Sequence, residues 1–520
     1  MRLFCLLMML AGGAVGAAEP AQRPPNIVLL LADDIGWGDF GCYGAKVIPT
    51  PAVDRLAAQG TRFTSGYCTS ATCTPSRYSL LTGEYAWRRQ GTGILPGDAT
   101  MIIKPGRPTL PASLAKLGYA TGVVGKWHLG LGSREVNWNQ RINPCPNEVG
   151  FTYSFIMAAT GDRVPCVFVE DGNVVNLDPK DPIEVSYVKP FPHDPDLKSP
   201  EERAKLKMDW SMGHNMALVN GVGRIGWMRG GKSAIWNDET LGETFTDKAC
   251  AFIAKHKDEP FFLYYAAHEN HVPRVPNPIH RGKTPLGPRG DAVVAFDDHV
   301  DKILAELAKH GLTENTLVIL SSDNGPVLDD GYRDQALALN RKAGHLPAGP
   351  YRGGKYSIYE GGTRVSMIAR WPGHTPAGVV STEVLSQIDF AASFTKLAGG
   401  DPSDFLKLDG LENSQVFRGA KSQRDYVIEQ GQNQIAIRQG DWKYIPVASK
   451  KGQKAWRAGE LEEPEREREV IDGQMEQLYD LSKDAGEKHN VIAENPEVAQ
   501  KLRTILEAER AKGFAQPLPR

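Results

Sequence analysis

Cysteine is scarce, with 7 in 520 residues, and so is any imbalance of charge: 60 Lys+Arg stand against 62 Asp+Glu, a formal net charge of −2. A near-neutral chain has no bulk electrostatic attraction for nucleic acid or an anionic membrane. So few cysteines exclude a disulfide scaffold, and none falls in a CxxC pair of the structural zinc type. Beyond the first residues no apolar run approaches the ~20 needed to cross a bilayer. No internal repeat stands out. With 41% hydrophobic and 23% charged residues, the composition also excludes collagen, disorder and a membrane bundle. At roughly 150 residues per domain the length suggests about three units, although large α/β domains often absorb two.

What is present begins with the N-terminus. Met1-Arg2 precede an apolar run from Leu3 to Leu10, and Gly16-Ala17-Ala18 offers a small-x-small cleavage site before Glu19. This pattern predicts a signal peptide over residues 1–18 and a secreted or periplasmic, soluble mature protein. Cys5 leaves with it. Cys42, Cys68, Cys73, Cys145, Cys166 and Cys250 remain, and their spacing leaves disulfide connectivity open.

Short apolar runs recur along the chain, each ending in polar residues. Asn26 to Ala32 runs into Asp33-Asp34. Gly122 to Gly125 leads to Lys126-Trp127-His128, Pro260 to Tyr265 to His268 and His271, and Thr316 to Leu320 to Asp323-Asn324. Runs of this kind read as buried parallel strands. Between them, Ala52 to Gln59, Leu110 to Leu117, Phe245 to His256 and Asp291 to His310 carry apolar residues at helical spacing. The alternation predicts an α/β fold, a large, mostly parallel sheet sandwiched by helices, with one shared site at the carboxyl ends of the strands. Beyond about residue 415 short, turn-separated strand patterns and a terminal helix (Pro496 to Lys512) predict a smaller α+β unit with an antiparallel sheet. The expected division is 19–415 and 416–520. Asp178 to Lys207 and the charged stretch Ser449 to Glu469 read as surface excursions.

Cys73-Thr74-Pro75-Ser76-Arg77 places a cysteine ahead of a helix with an arginine four residues on. A helix N-terminus and a guanidinium both favour a thiolate or a bound anion. Asp33, Asp34, Asp323 and Asn324 offer only hard oxygen donors, suited to Ca²⁺ or Mg²⁺. His268-x-x-His271 has zinc-like spacing, but it follows a strand pattern and lacks a completing carboxylate set. Asp298-His299 resembles a two-zinc phosphatase pair, yet falls in an amphipathic helix, where it reads as a polar face.

The Cys-x-Pro-x-Arg core, with Leu81-Thr82-Gly83, resembles the modification signature of the formylglycine-dependent sulfatases, within the alkaline phosphatase superfamily. Ala32 to Asp39, Gly125 to Gly130, Asn270 to Pro273, Ser322 to Gly325 and Gly354 to Gly362 are similar to that family's other motifs and stand in its order. The resemblance runs from about Pro25 to Lys512 and looks closest to arylsulfatases and N-acetylgalactosamine-6-sulfatases. It implies an alkaline-phosphatase-like fold and hydrolysis of a sulfate monoester on a carbohydrate. The nucleophile would be Cys73 converted to formylglycine (3-oxoalanine) by a maturation enzyme, an otherwise transient partner. Ca²⁺, with Mg²⁺ as the alternative, would lie between Asp33, Asp34, Cys73, Asp323 and Asn324. Arg77, Lys126, His128, His271 and Lys355 complete the implied catalytic set, with Lys126, His271 and Lys355 on the sulfate. Asp162, Arg163, His345 and Arg352 are candidate rim residues. Two alternatives stay open: a phosphonate or phosphate monoesterase on this fold, and a non-catalytic protein that binds sulfated glycan.

Overall fold

The computed structural model describes residues 23–432, 434–448, 472 and 475–512. The expected signal peptide and the charged stretch 449–469 lie outside them. No helix among the described residues is long and apolar enough to cross a membrane.

Along β1 (Asn26–Ala32), Ile27, Leu29 and Leu31 enter one core, while Val28, Leu30 and Ala32 enter another. A strand that is dry on both faces belongs in the middle of a covered sheet. Here that sheet has ten strands: β1, β2 (Thr61–Tyr67), β3 (Ala120–Lys126), β4 (Tyr153–Met157), β5 (Phe168–Glu170), β6 (Asn173–Val174), β7 (Phe261–Ala266), β8 (Thr316–Ser322), β9 (Met367–Arg370) and β10 (Val379–Ser386). Their order is β10-β2-β9-β8-β1-β7-β3-β4-β5-β6. The five central strands, β8, β1, β7, β3 and β4, are parallel, and Leu29 sits between Ile319 and Tyr264. β9 and β5 run against their neighbours.

Helices cover both faces, as the alternation predicted. α1 (Pro51–Ala58) is followed in chain order by α2 (Cys73–Thr82), α3 (Leu110–Lys116), α4 (Leu241–Lys255), α5 (Pro288–Lys309) and α6 (Phe390–Leu397). α1, α4 and α5 share one core and α2, α3 and α6 the other. On α5 the buried Val293, Phe296, Val300, Ile303 and Leu307 form one stripe, each side chain contributing about 1.5–3 kcal/mol of burial. Asp297 on the same helix accepts the Ala52 and Val53 N–H groups at 3.0 and 2.8 Å, so α5 supplies the N-terminal cap that Thr50 does not.

β11 (Tyr426–Gln430), β12 (Ile435–Gln439), β13 (Trp442–Ile445) and β14 (Gln477–Asp480) form the expected antiparallel sheet. α7 (Pro496–Ala511) packs on it through Ala499, Leu502 and Leu506. The expected division at 415/416 falls within the single helical turn Ser414–Arg418. Buried Lys443 of β13 joins this sheet to the main body, 2.8 Å from Glu429, 3.1 Å from Glu360 and 3.5 Å from Glu487.

Candidate active site

The site is assembled where the central strands end. Asp33 and Asp34 follow β1, Lys126 ends β3, Asn270 and His271 follow β7, and Asp323 and Asn324 follow β8. Gly125 admits Lys126 there: it adopts a positive φ, and a Cβ would stand 1.9 Å from the Ala266 carbonyl oxygen. α2 enters from the side with Cys73 as its first residue, and all ten of its residues are buried. Thr74 Oγ1 donates to the His128 carbonyl at 3.0 Å, and the Ala71 N–H donates to the Gln430 carbonyl at 2.8 Å. The turn leading to Cys73 is thus held by the C-terminal sheet.

Three acids face three bases in this buried space. Lys126 Nζ is 2.6 Å from Asp33 Oδ2, Lys355 Nζ is 2.8 Å from Asp34 Oδ2, and Arg77 Nη2 is 2.8 Å from Asp323 Oδ2. Arg77 also donates to the Lys126 carbonyl at 3.1 Å and lies 3.9 Å from Asp33. Burial pushes Asp33 up to about 8 against the pull of Lys126, with Asp323 and Asp34 adding to the rise. Burial opposes the charge on Asp34 as well, but Lys355 and His271 hold it well below the carboxylate range.

Oxygens of Asp33, Asp34 and Asp323 lie within 4.8 Å of one another. Asp33 Oδ1 and Asn324 Oδ1 are buried with no hydrogen-bond partner, although buried polar groups are normally satisfied. A hard cation would satisfy both and relieve the crowding of carboxylates, so the donor set fits Ca²⁺ or Mg²⁺.

Cys73, His128, His271 and Lys355 line a cleft of about 230 Å³ together with Asp162, Arg163, His214, Asp330 and Tyr356. Burial holds the Cys73 thiol above its ordinary value, while Lys126 and Lys355 pull it down. The pull on the thiol expected of Arg77 is outweighed: its guanidinium pairs with Asp323 and lies near Asp33, and desolvation wins. His128 and His271 are both held well below the usual imidazole value, by burial first and then by neighbouring lysines. His128 Nε2 sits 3.0 Å from the Leu95 carbonyl, so that nitrogen carries the proton and Nδ1 keeps the lone pair. His271 Nδ1 donates to the Val272 carbonyl at 2.8 Å, leaving Nε2 free to accept, 3.9 Å from Asp34.

A model of the family described as Sulfatase matches residues 25–400. The chain belongs to the sulfatase family. It is 46% identical over 494 residues to an N-acetylgalactosamine-6-O-sulfatase of Bacteroides thetaiotaomicron, covering 94% of each chain. It is 32% identical to human arylsulfatase A, over 96% of this chain and 89% of that one. A solved structure from work on the metabolism of multiple glycosaminoglycans by Bacteroides thetaiotaomicron superposes with a TM-score of 0.88 at 45% identity, covering 94% of this chain and 100% of that chain. This sulfatase is accordingly a sulfuric ester hydrolase.

Not every expected residue reaches the sulfatase cleft. Asp162 and Arg163 do, but His345 is buried against Asp39 at 2.8 Å, and Arg352 lies over the Tyr359 ring and pairs with Asp472. Asp298-His299 is not a polar face, for His299 is turned into the interior at 1% exposure while the Asp298 side chain stays half exposed. None of the six described cysteines forms a disulfide. The motif reading missed Asp330, which holds Lys355 Nζ at 2.9 Å, and His214, whose Nε2 is 2.8 Å from Asp162. Both come from long loops without periodicity, and no local signal marks them.

Proposed function

We propose that this cleft removes sulfate from a carbohydrate sulfate monoester, releasing inorganic sulfate and an alcohol. The observation that carries the reading is Cys73 at the start of a fully buried helix, in one cleft with Lys355, His128 and His271 and beside three acids able to hold a cation. The 6-O-sulfate of an N-acetylgalactosamine unit is the first substrate to test, since a relative nearly half identical along almost the whole chain carries that name. Export through the N-terminal signal would bring the enzyme to such glycans outside the cytoplasm.

Formylglycine at position 73, made from the cysteine by a separate maturation enzyme, would supply a hydrated aldehyde whose one hydroxyl attacks sulfur and whose other lets sulfate go. A Ca²⁺ or Mg²⁺ ion held by Asp33, Asp34, Asp323 and Asn324, next to residue 73, would supply positive charge to a sulfate oxygen. The side chains do the rest. Lys126 and Lys355 are buried cations that bind the anionic ester in a water-poor pocket, where fixed charge is worth more than in solvent. Arg77 holds Asp323 in place. His128, with its Nδ1 lone pair and no partner on that nitrogen, is suited to take a proton when sulfate is expelled. His271 gives a proton to the leaving oxygen, the bound anion drawing its imidazole toward the charged form against Lys355 and Lys126.

Mass spectrometry of the peptide containing residue 73, from protein made in its native host, combined with assays on 6-O-sulfated N-acetylgalactosamine and phenyl phosphonate, tests the reading. An aldehyde or its hydrate with sulfate release is expected. Wholly unmodified cysteine, or turnover of the phosphonate alone, would overturn it.

A further inference from the structure

Behind the cleft runs a chain of alternating imidazoles and carboxylates, buried at His280, His299 and Glu269, that the proposed reaction does not use. Asp298 Oδ2 meets His280 Nε2 at 2.7 Å, and His280 Nδ1 is 3.8 Å from Glu243 Oε1. The same Glu243 oxygen is 3.8 Å from His299 Nε2. His299 Nδ1 lies 3.1 Å from Glu269 Oε1, which His268 Nε2 approaches at 3.2 Å. These side chains do not converge as ligands would. Among the described residues, the groups of three donors within 4.8 Å of one another all lie in the catalytic cleft.

Glu269 is where the chain meets the chemistry. Its carbonyl accepts the Asp33 N–H at 2.8 Å, the next N–H, of Asn270, donates to the Asp33 carbonyl at 2.6 Å, and the His271 N–H donates to the His268 carbonyl at 2.9 Å. One short segment therefore sets both a candidate metal ligand and the candidate acid. Its side-chain anchor is tightly walled: a Cβ on Gly242 of α4 would stand 2.0 Å from Glu269 Oε1 and 2.2 Å from His299 Cε1. Burial works against charge on both partners, yet His268 and His299 hold Glu269 well below the carboxylate range, and Glu269 and Glu243 push His299 up to about 9. A buried ion pair adds little net stability over an apolar substitute; its best-attested use is to select one geometry.

We propose that the His299–Glu269 ion pair, steadied by Glu243, is the positioning element of this active site, fixing the 268–271 segment so that His271 meets the leaving oxygen and Asp33 meets the cation. This rests on the catalytic reading of His271 and Asp33.

The test compares His299→Gln, Glu269→Gln, the double variant and Glu243→Gln in the full-length, matured enzyme. Rates on a sugar sulfate and on an activated aryl sulfate are measured beside calcium binding to metal-depleted protein by calorimetry. Misplacement of catalytic groups by about 1 Å can cost about 10²-fold. Each inner single variant should lose about 10- to 100-fold in kcat/KM on the sugar sulfate, less on the aryl sulfate, and several-fold in calcium affinity. The double variant, whose two neutral amides can still pair, should recover part of the loss. A folded His299→Gln enzyme that melts earlier but keeps its calcium affinity and its ratio of sugar to aryl rates would overturn the proposal. Should His299→Gln not fold, Glu243→Gln decides. Its side chain is 20% exposed, and it should shift both readouts the same way by less; no shift overturns the proposal. If the wild-type protein hydrolyses no sulfate ester, the catalytic reading fails, and the calcium arm still judges the placement of Asp33.

Discussion

Replacing His271 with alanine separates substrates by the basicity of their leaving groups. The imidazole is buried at 5% exposure, lines the cleft with Cys73, and has its Nδ1 proton committed to the Val272 carbonyl. Its Nε2 is thus the nitrogen that can serve the ester oxygen. A sugar alkoxide is a poor leaving group and needs that proton, whereas nitrophenolate departs without it. General acid catalysis contributes about 10²–10⁴-fold where it is needed, or about 2.7–5.5 kcal/mol of barrier. His271→Ala should lose that much in kcat/KM on an N-acetylgalactosamine 6-sulfate and less than about tenfold on nitrophenyl sulfate. The pH dependence follows the same logic. Burial, Lys355 and Lys126 lower the imidazole below its ordinary ~6.5. An acid must carry its proton to act, so the wild-type rate on sugar sulfate should fall as pH rises through that lowered value, and the variant should lose this limb. Parallel pH–rate profiles on the two substrates provide the assay. Equal losses on both, with the limb retained, would refute the assignment and make Lys126 the preferred acid.

Cys73→Ala should abolish turnover while the thermal midpoint stays within a few degrees of wild type, because a small side chain at a helix start contributes little packing; residual turnover above about 1% in purified protein would exclude residue 73 as nucleophile. Elemental analysis of native protein should find about one Ca²⁺ or Mg²⁺ per chain, and chelation should lower both activity and melting temperature; stoichiometric zinc with neither would contradict the oxygen-donor argument. Lys443→Met should destabilise the protein by about 3–5 kcal/mol in denaturant unfolding, since it leaves Glu429 and Glu487 buried without their cation and Glu360 with Arg364 as its ion-pair partner. A change below about 1 kcal/mol would mean that the three acids share protons instead.

Much of the site was legible because its chemistry sits in short contiguous stretches at strand ends. Asp33-Asp34, Lys126-Trp127-His128, Asn270-His271 and Asp323-Asn324 each follow an apolar run, and parallel sheets collect such ends at one edge. The strands of the large sheet that escaped notice were β2, β4, β5, β6, β9 and β10. β2 mixes threonine, serine and glycine among its apolar residues, and β10 is half exposed at the sheet edge, so neither carries the continuous apolar signal of a central strand.

Residue type and spacing by themselves determined that this chain forms a helix-covered, mostly parallel sheet and that its polar strand ends share one site, while the Cys73 signature, with its companion motifs in order, carries the resemblance to the sulfatases. Those are local properties, written within a few residues of one another. Which charges pair is not local. That Arg77 goes to Asp323, Lys355 to Asp34 and Asp330, and His345 away from the cleft to Asp39 depends on strands and loops that meet across tens to hundreds of residues. Protonation follows from the same packing. Burial raises the Cys73 thiol above its ordinary value, because desolvation outweighs the attraction of the lysines that folding brings near.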